Sequence, residues 1–254
     1  MEECDVGNQV TRLTSAAEET PTPLPQALAR AGYQVIIASS SAERVSAAAK
    51  EVREAAGVAE DAVSTGVFDA TSDASVAAYF AGFAPGSVHH LIVTVGPGAG
   101  ASSVIGAEGL AGLRRQFDLK FFAQLACVAY GAPILADGGA IVLVSGALAK
   151  RPGKGSTALA TANAAIDAVV RGLANDLGPR LRVSSLSPGL VDTEMWDRLP
   201  ADKRAGMLAG FGASIPAGRA GTGADVGAAI RFLVESPWIT GTVLDVDGGA
   251  AVRA

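Results

Sequence analysis

Short apolar runs alternate with amphipathic stretches along the whole chain, and this alternation restricts the fold more than any other feature. Strand-length runs fall at residues 9–14, 33–38, 62–68, 90–95, 140–145, 181–187 and 242–246. Helical periodicity occupies 24–31, 42–56, 74–82, 107–135, 156–177 and 224–235. Such βαβ repetition buries both faces of a parallel sheet under helices. The expected fold is an α/β doubly wound parallel sheet of about seven strands, with helices on both faces. No linker or internal repeat interrupts it, so residues 1–254 read as one domain, with 1–8 as a flexible tail. Gly32, Gly178 and Pro179 stand where helices should stop, glycine supplying a left-handed residue and proline forbidding continuation. Ligands of such sheets bind beyond the carboxyl ends of the strands. The segments after Thr14, Ala38, Phe68, Val95, Ser145 and Ser187 therefore hold the expected site.

Composition removes several classes of function. The formal charge is −5 and the longest basic cluster is Arg114-Arg115, so the concentrated positive surface needed by a nucleic-acid partner is missing. No apolar run approaches the roughly 20 residues of a membrane span. Glu2, Glu3 and Asp5 occupy the place where a signal peptide carries basic residues, which points to the cytoplasm. Cys4 and Cys127 are too few for a disulfide framework, and no metal-ligand set accompanies them. The 31 glycines invite a search for a phosphate-cradling turn.

Residues Ser187-Pro188-Gly189-Leu190-Val191-Asp192-Thr193 and the closing strand Ile239-Thr240-Gly241-Thr242-Val243-Leu244-Asp245-Val246-Asp247-Gly248-Gly249 resemble the short-chain dehydrogenase/reductase (SDR) family. The stretch Leu28-Ala29-Arg30-Ala31-Gly32-Tyr33 is similar to that family's first helix entering its second strand, and Phe68-Asp69-Ala70-Thr71 to the segment after its third. The resemblance covers residues 8–250 and implies a Rossmann-like fold, a segment 193–220 closing over substrate, and assembly into a homodimer or homotetramer.

Against that resemblance two sets of residues differ. The family's Thr-Gly-x-x-x-Gly-x-Gly turn, whose backbone N–H groups approach a pyrophosphate, falls on Thr14, with Ser15, Glu19 and Pro21 in place of the glycines. Pro21, Pro23 and Pro25 lack backbone donors, and Glu18 and Glu19 would repel an anion. Arg12 is an unusual residue for a strand buried on both faces, so this strand is expected to be distorted or displaced. Ser39-Ser40-Ser41 stands where an acid would hold NAD ribose; this leaves room for a 2′-phosphate, with the nearest arginine, Arg44, already in the next helix. Asp69 matches the family's adenine contact but equally suits a helix cap. The loop Gly96-Pro97-Gly98-Ala99-Gly100 follows the fourth strand and is no phosphate turn; it suits close passage of backbone beside a ligand or helix.

The family's catalytic Ser, Tyr and Lys correspond to Gly146, Leu159 and Asn163, and its Asn to Asp118. Ser145 falls one residue early, on the opposite side of its strand. The motifs Phe117-Asp118-Leu119-Lys120-Phe121, Ser145-Gly146 and Ala162-Asn163-Ala164-Ala165 resemble an SDR subgroup without the Ser-Tyr-Lys set. No cofactor is expected on this reading, with NADP(H) or NAD(H) as the fallback.

Candidate chemistry then rests on Asp118, Asn163 and Arg151. Asp118 is either a desolvated general acid in the cleft or an ion-pair partner of Arg114 or Arg115. Asn163 either hydrogen-bonds Asp118 or a substrate carbonyl, or fills the lysine's place passively. Arg151 and Lys154 either stabilise an oxyanion or are solvated loop charges. Thr94, Ser145, Pro188, Gly189, Thr193 and Trp196 are the candidate substrate contacts, with Thr14, Ser39 and Asp69 the residues available to a nucleotide. Met195 adds to an apolar lid, whereas Met207 and Phe211 read as anchors. His89 and His90 read as a surface turn at the far end of the fourth strand. Three functions fit: a cofactor-independent cyclisation, isomerisation or elimination on an apolar small molecule; an NAD(P)H oxidoreductase with unusual residues; and a non-catalytic subunit or ligand-binding protein.

Overall fold

A computed structural model describes residues 10–14, 23–96, 103–105 and 109–252. The expected tail and the turn carrying Ser15, Glu19 and Pro21 lie outside the described residues, as do Pro97, Gly98, Ala99 and Gly100. In chain order the elements are β1 (Val10–Thr14), α1 (Pro23–Arg30), β2 (Gln34–Ser39), α2 (Ala42–Ala56), β3 (Val63–Val67), α3 (Asp73–Ala81), β4 (Val88–Val93) and α4 (Gly109–Gln116). A π-helical turn over Phe117–Phe122 leads into α5 (Ala123–Gly131) and β5 (Leu135–Val144). Then come α6 (Thr157–Leu177), β6 (Arg182–Pro188), β7 (Val191–Asp192), α7 (Ala201–Ala213), β8 (Gly221–Thr222), α8 (Gly223–Glu235) and β9 (Val243–Val246).

Seven strands form one parallel sheet in the order β3-β2-β1-β4-β5-β6-β9, and β7 pairs separately with β8. The order reverses between β1 and β4, which opens a crevice beyond their carboxyl ends. Side chains alternate across the sheet: Ile141 and Leu143 of β5 enter the core under α3, α5 and α6, while Ala140 and Val142 enter the core under α1, α2 and α8. Fully buried residues such as Leu28, Ile37, Leu91, Ile92 and Ile166 each contribute about 1.5–3 kcal/mol by leaving water.

Several expectations need correction. Backbone pairing of Arg12 with Ile36 and Leu91 keeps β1 in regular register at the sheet's centre, so the strand is neither distorted nor displaced. The single helix expected over 107–135 is divided by its π turn and ends at Gly131; β5 starts at Leu135, five residues before the expected 140. Gly178 caps α6 at φ −72°, not in a left-handed conformation; a Cβ there would lie 2.8 Å from the Ala174 carbonyl oxygen, so space excludes a larger residue. Gly32, at φ +90°, does supply the left-handed turn after α1. His90 is buried inside β4 because that strand begins two residues earlier than expected, and its Nδ1 accepts from the Ala140 N–H at 3.2 Å.

Candidate functional site

Gln124 of α5 fastens the floor of the crevice. Its Nε2 donates to the carbonyl oxygens of Val95 and Val144, each at 2.9 Å, and its Oε1 accepts from the Val144 N–H at 3.1 Å. One side chain thereby ties the ends of β4 and β5 together. A turn earlier the helix widens: the N–H of Ala123 reaches back to the carbonyl of Asp118, the five-residue span of a π turn. The extra residue turns Lys120 inward. This lysine is 8% exposed, and a Cβ placed on Gly96 would lie 3.2 Å from its Nζ, which puts the ammonium beside the end of β4. Among the described residues it makes no hydrogen bond or direct ion pair. Burial pulls its pKa from 10.5 down to about 8, against an upward pull from Asp167.

Asn163, on α6, stands opposite the end of β5. It is buried, its Oδ1 has no hydrogen-bond partner among the described residues, and a Cβ on Gly146 would lie 2.8 Å from its Nδ2. Glycine at 146 is what admits the amide. Ser187, at the end of β6, likewise buries a hydroxyl without a partner among the described residues. Unpaired buried polar groups carry a desolvation cost of about 1–3 kcal/mol, and these two stand near the carboxyl ends of β5 and β6. Ser145 is buried; its backbone N–H donates to the Leu186 carbonyl at 2.9 Å and its hydroxyl donates to the same oxygen at 3.4 Å. Leu159 is half-buried on α6, one turn before Asn163. Thr94 is half-buried at the end of β4.

Asp118 takes a different place from the expected one. It is exposed on the π turn, so the desolvation expected of a cleft acid is absent. No ion pair joins it to Arg114 or Arg115 among the described residues. The inward position belongs to Lys120, two residues on. The sequence signal lay in Phe117-Asp118-Leu119-Lys120-Phe121, where an apolar residue follows each charge. Arg151 is half-buried and Lys154 exposed in the loop after β5.

Pro188 and Gly189 leave β6 beside the closing strand, and a Cβ on Gly189 would lie 2.9 Å from Asp247 Cα, so only glycine permits this crossing. Trp196 donates Nε1–H to the Val191 carbonyl at 2.9 Å, and with Thr193 and Met195 it is half-buried. Met207 and Phe211 are half-buried on α7.

On the β2 side the Ser41 hydroxyl caps α2 by accepting from Arg44 N–H at 3.3 Å, and Arg44 Nη2 reaches back to Ser40 Oγ at 3.4 Å. The arginine thus returns to the strand end despite lying in the helix. Ser39 is buried and accepts from the Ser41 N–H. Hydroxyls, a guanidinium and a helix N-terminus together fit the phosphate end of a nucleotide. Asp69 is exposed and accepts from Thr71 N–H and Oγ1 at 2.9 and 2.7 Å; the cap of α3 is Ser72. Thr14 is the last residue of β1.

Comparisons with known proteins agree with this architecture. The family described as enoyl-(acyl carrier protein) reductase matches residues 24–251. Carbonyl reductase family member 4 of Danio rerio is 35% identical over 127 residues, 50% of this chain and 51% of that protein. The chain spans about half the length of the first curated relatives it matches. A crystal structure of a small-chain dehydrogenase in complex with NADPH is 30% identical, with 96% of this chain and 99% of that one covered at a TM-score of 0.77. The apo structure of a short-chain oxidoreductase from Pseudomonas aeruginosa, described as containing an atypical catalytic center, is 24% identical; 98% and 100% of the two chains superpose at a TM-score of 0.84, a likeness of fold. By its sheet order, its crevice and a family match over most of its length, the chain belongs to the short-chain dehydrogenase/reductase superfamily, a family of oxidoreductases.

Proposed function

We propose that the protein is an NADP(H)-dependent oxidoreductase that reduces a carbonyl on an apolar small molecule, with Lys120 as the proton donor. The observation that carries this reading is the Lys120 ammonium, buried beside the end of β4 and without an ion pair among the described residues. A nearby family member crystallised with NADPH supports it, and it takes the place of the expectation that no cofactor is needed. Ser39, Ser40 and Arg44 would hold the 2′-phosphate end, and the crevice between β1 and β4 the remainder. When bound, reduced nicotinamide supplies hydride.

The protein's own part is proton delivery and orientation. Lys120 Nζ gives a proton to the substrate carbonyl oxygen, and a pKa of about 8 leaves it largely charged at neutral pH yet acidic enough to donate. The Asn163 Nδ2–H2 and the Ser187 hydroxyl, both able to donate, orient that carbonyl. Trp196 and Met195 of segment 193–220 cover the apolar remainder, and Arg151 stands at the rim. Large apolar side chains left exposed on the α4–α5 limb (Leu110, Phe122, Tyr130) and on the α8 side (Phe232, Trp238) supply surfaces for a homodimer or homotetramer.

A non-redox cyclisation, isomerisation or elimination is favoured by one feature, the replacement of the turn's glycines by Ser15, Glu19 and Pro21. Titration of the purified protein with NADPH and NADH, read by nucleotide fluorescence, separates the two. Micromolar NADPH affinity, weakened at least tenfold in Arg44→Ala, is the expected result; absence of binding overturns the redox reading. With a carbonyl substrate in hand, Lys120→Met should lower turnover about 10²-fold or more. Wild-type reduction should decline above about pH 8 as the ammonium deprotonates.

A further inference from the structure

The chain leaves β5 through a turn with little apolar anchorage. Gly146 is buried at the strand end, but the 3₁₀ turn Ala147–Ala149 that follows buries no side chain. Backbone bonds close it: the Ala149 N–H meets the Gly146 carbonyl at 2.9 Å, and the Lys150 and Arg151 N–H groups meet the Ala147 carbonyl at 3.1 and 3.0 Å. Two polar fastenings tie this turn to the sheet. Before it, Ser145 donates its backbone N–H and its hydroxyl to the Leu186 carbonyl of β6, at 2.9 and 3.4 Å. After it, Lys150 Nζ sits between both carboxylate oxygens of Asp245 on β9, 2.5 Å from each. Asp245 pairs in the ladder with Ser187, the residue after Leu186, so the two fastenings stand side by side on neighbouring strands and clamp the turn at both ends.

The Asn163 amide rests on the first residue of that turn. A Cβ on Gly146 would lie 2.8 Å from its Nδ2, 3.5 Å from its Cγ and 3.7 Å from its Oδ1, so the whole amide packs over the Gly146 backbone. The last torsion of an asparagine has broad wells, and the Oδ1 has no hydrogen bond among the described residues to fix it. The direction of the amide is therefore a matter of packing, and Gly146 is part of that packing. We propose that Lys150, held by Asp245, is a positioning residue for Asn163: the ion pair fixes the 146–151 turn against the sheet, and the turn fixes the direction of the Asn163 amide. This deepens the reading in which Asn163 orients the substrate carbonyl and rests on it for its functional meaning, although the mechanical link stands without any substrate. The two fastenings differ in one respect. Ser145 is buried, whereas the Lys150 and Asp245 side chains are 39% and 38% exposed, so salt weakens only the outer one.

The test is ¹H–¹⁵N NMR of the whole protein, following the Asn163 side-chain NH2 signals, which are assigned by their absence in Asn163→Ser. In Lys150→Met and in Asp245→Asn these signals should move to a common new position. Raising the salt concentration should move the wild-type signals toward that position and leave those of the variants where they are. Glu235→Gln, which breaks the exposed Arg231–Glu235 pair on α8, should not displace them. Unmoved signals in folded Lys150→Met and Asp245→Asn overturn the inference; if one variant does not fold, the other decides, together with the salt response of the wild type. With a carbonyl substrate in hand the two readings separate. Displaced signals combined with full turnover by Asn163→Ser would overturn the role of Asn163 and leave the link standing, whereas unmoved signals combined with lost turnover by Asn163→Ser would do the reverse.

Discussion

At the scale of single residues, His90 replaces a piece of backbone. The ladder between β4 and β5 shifts register between Val88 and His90, and the Nδ1 of His90 takes the Ala140 N–H. An accepting Nδ1 places the proton of the neutral ring on Nε2. The imidazole packs edge-on to Tyr33, with ring centroids 5.9 Å apart. Burial, then the charges of Arg182 and His89, lowers its pKa from 6.5 to about 3. Between those values the unfolded chain binds a proton that the folded chain refuses, so stability falls as pH drops below about 6.5. The contribution lost by pH 5 is about 2 kcal/mol. Urea unfolding at pH 7 and pH 5 should show that loss in the wild type, and His90→Gln should shrink the difference by most of it. Equal pH dependence in both proteins would show that the ring titrates without effect on folding. Where the helix is regular, Leu159 and Asn163 lie one turn apart on α6, and Asn163 faces Gly146 at the end of β5. Residue-level reading of the sequence missed Lys120; each extra residue in a helix turns the following side chains by about 100°. The match to the family's Asn pointed to Asp118, whereas the side chain buried on the π turn is Lys120.

At the scale of elements, the helices with strong apolar stripes and good caps were legible to within a residue or two. The α2 helix begins at its Ser41 cap and ends at left-handed Gly57; α8 begins in a capping box of Thr222 and Asp225, which Arg219 braces through two 2.8 Å contacts. The α7 helix escaped notice, since Gly206, Gly210 and Gly212 dilute its periodicity and only Gly212 is buried. The paired strands β7 and β8, two residues each, are too short for any alternation to register. The element that most determines the site is the junction of the π turn with α5, because Gln124 there holds two strand ends together. Gln124→Leu has nearly the same volume but leaves a buried N–H and two carbonyls without their partner. The expected cost is about 3 kcal/mol, since each orphaned buried group costs about 1–3 kcal/mol and some relaxation is available. Chemical unfolding measures it. A loss below about 1 kcal/mol would mean that the strand ends keep their spacing without the clamp.

At the scale of the whole molecule, two cores on opposite faces of one sheet make a rigid body, and alternation along the chain was enough to anticipate it. What alternation cannot convey is how the segment 193–220 is fastened to that body, because the fastening uses isolated polar pairs. At its start Arg204 binds Asp192 at 2.6 Å, also pairs with Asp197, and donates to the Thr193 carbonyl at 3.1 Å. At its end the Ala217 N–H meets the Gly248 carbonyl at 3.0 Å, and Gly248, at φ +63°, packs against Ile215 and Ala217 too closely for a side chain. The end nearer the sheet is therefore held by backbone and van der Waals contact, whereas the start depends on exposed ion pairs. Exposed pairs weaken with ionic strength, so the start of the segment should be the part that opens. Arg204→Met removes that fastening and keeps the aliphatic stem. Trypsin should then cut after Arg198 and Lys203 several-fold faster than in the wild type, while cleavage after Lys154, in the exposed loop following β5, proceeds at its former rate. Raising the salt concentration should accelerate the wild-type cuts toward those of the variant. If the variant and the wild type are cut alike at low salt, the Arg204 cluster is surface decoration and the segment is held by Trp196 and the Gly248 contact alone.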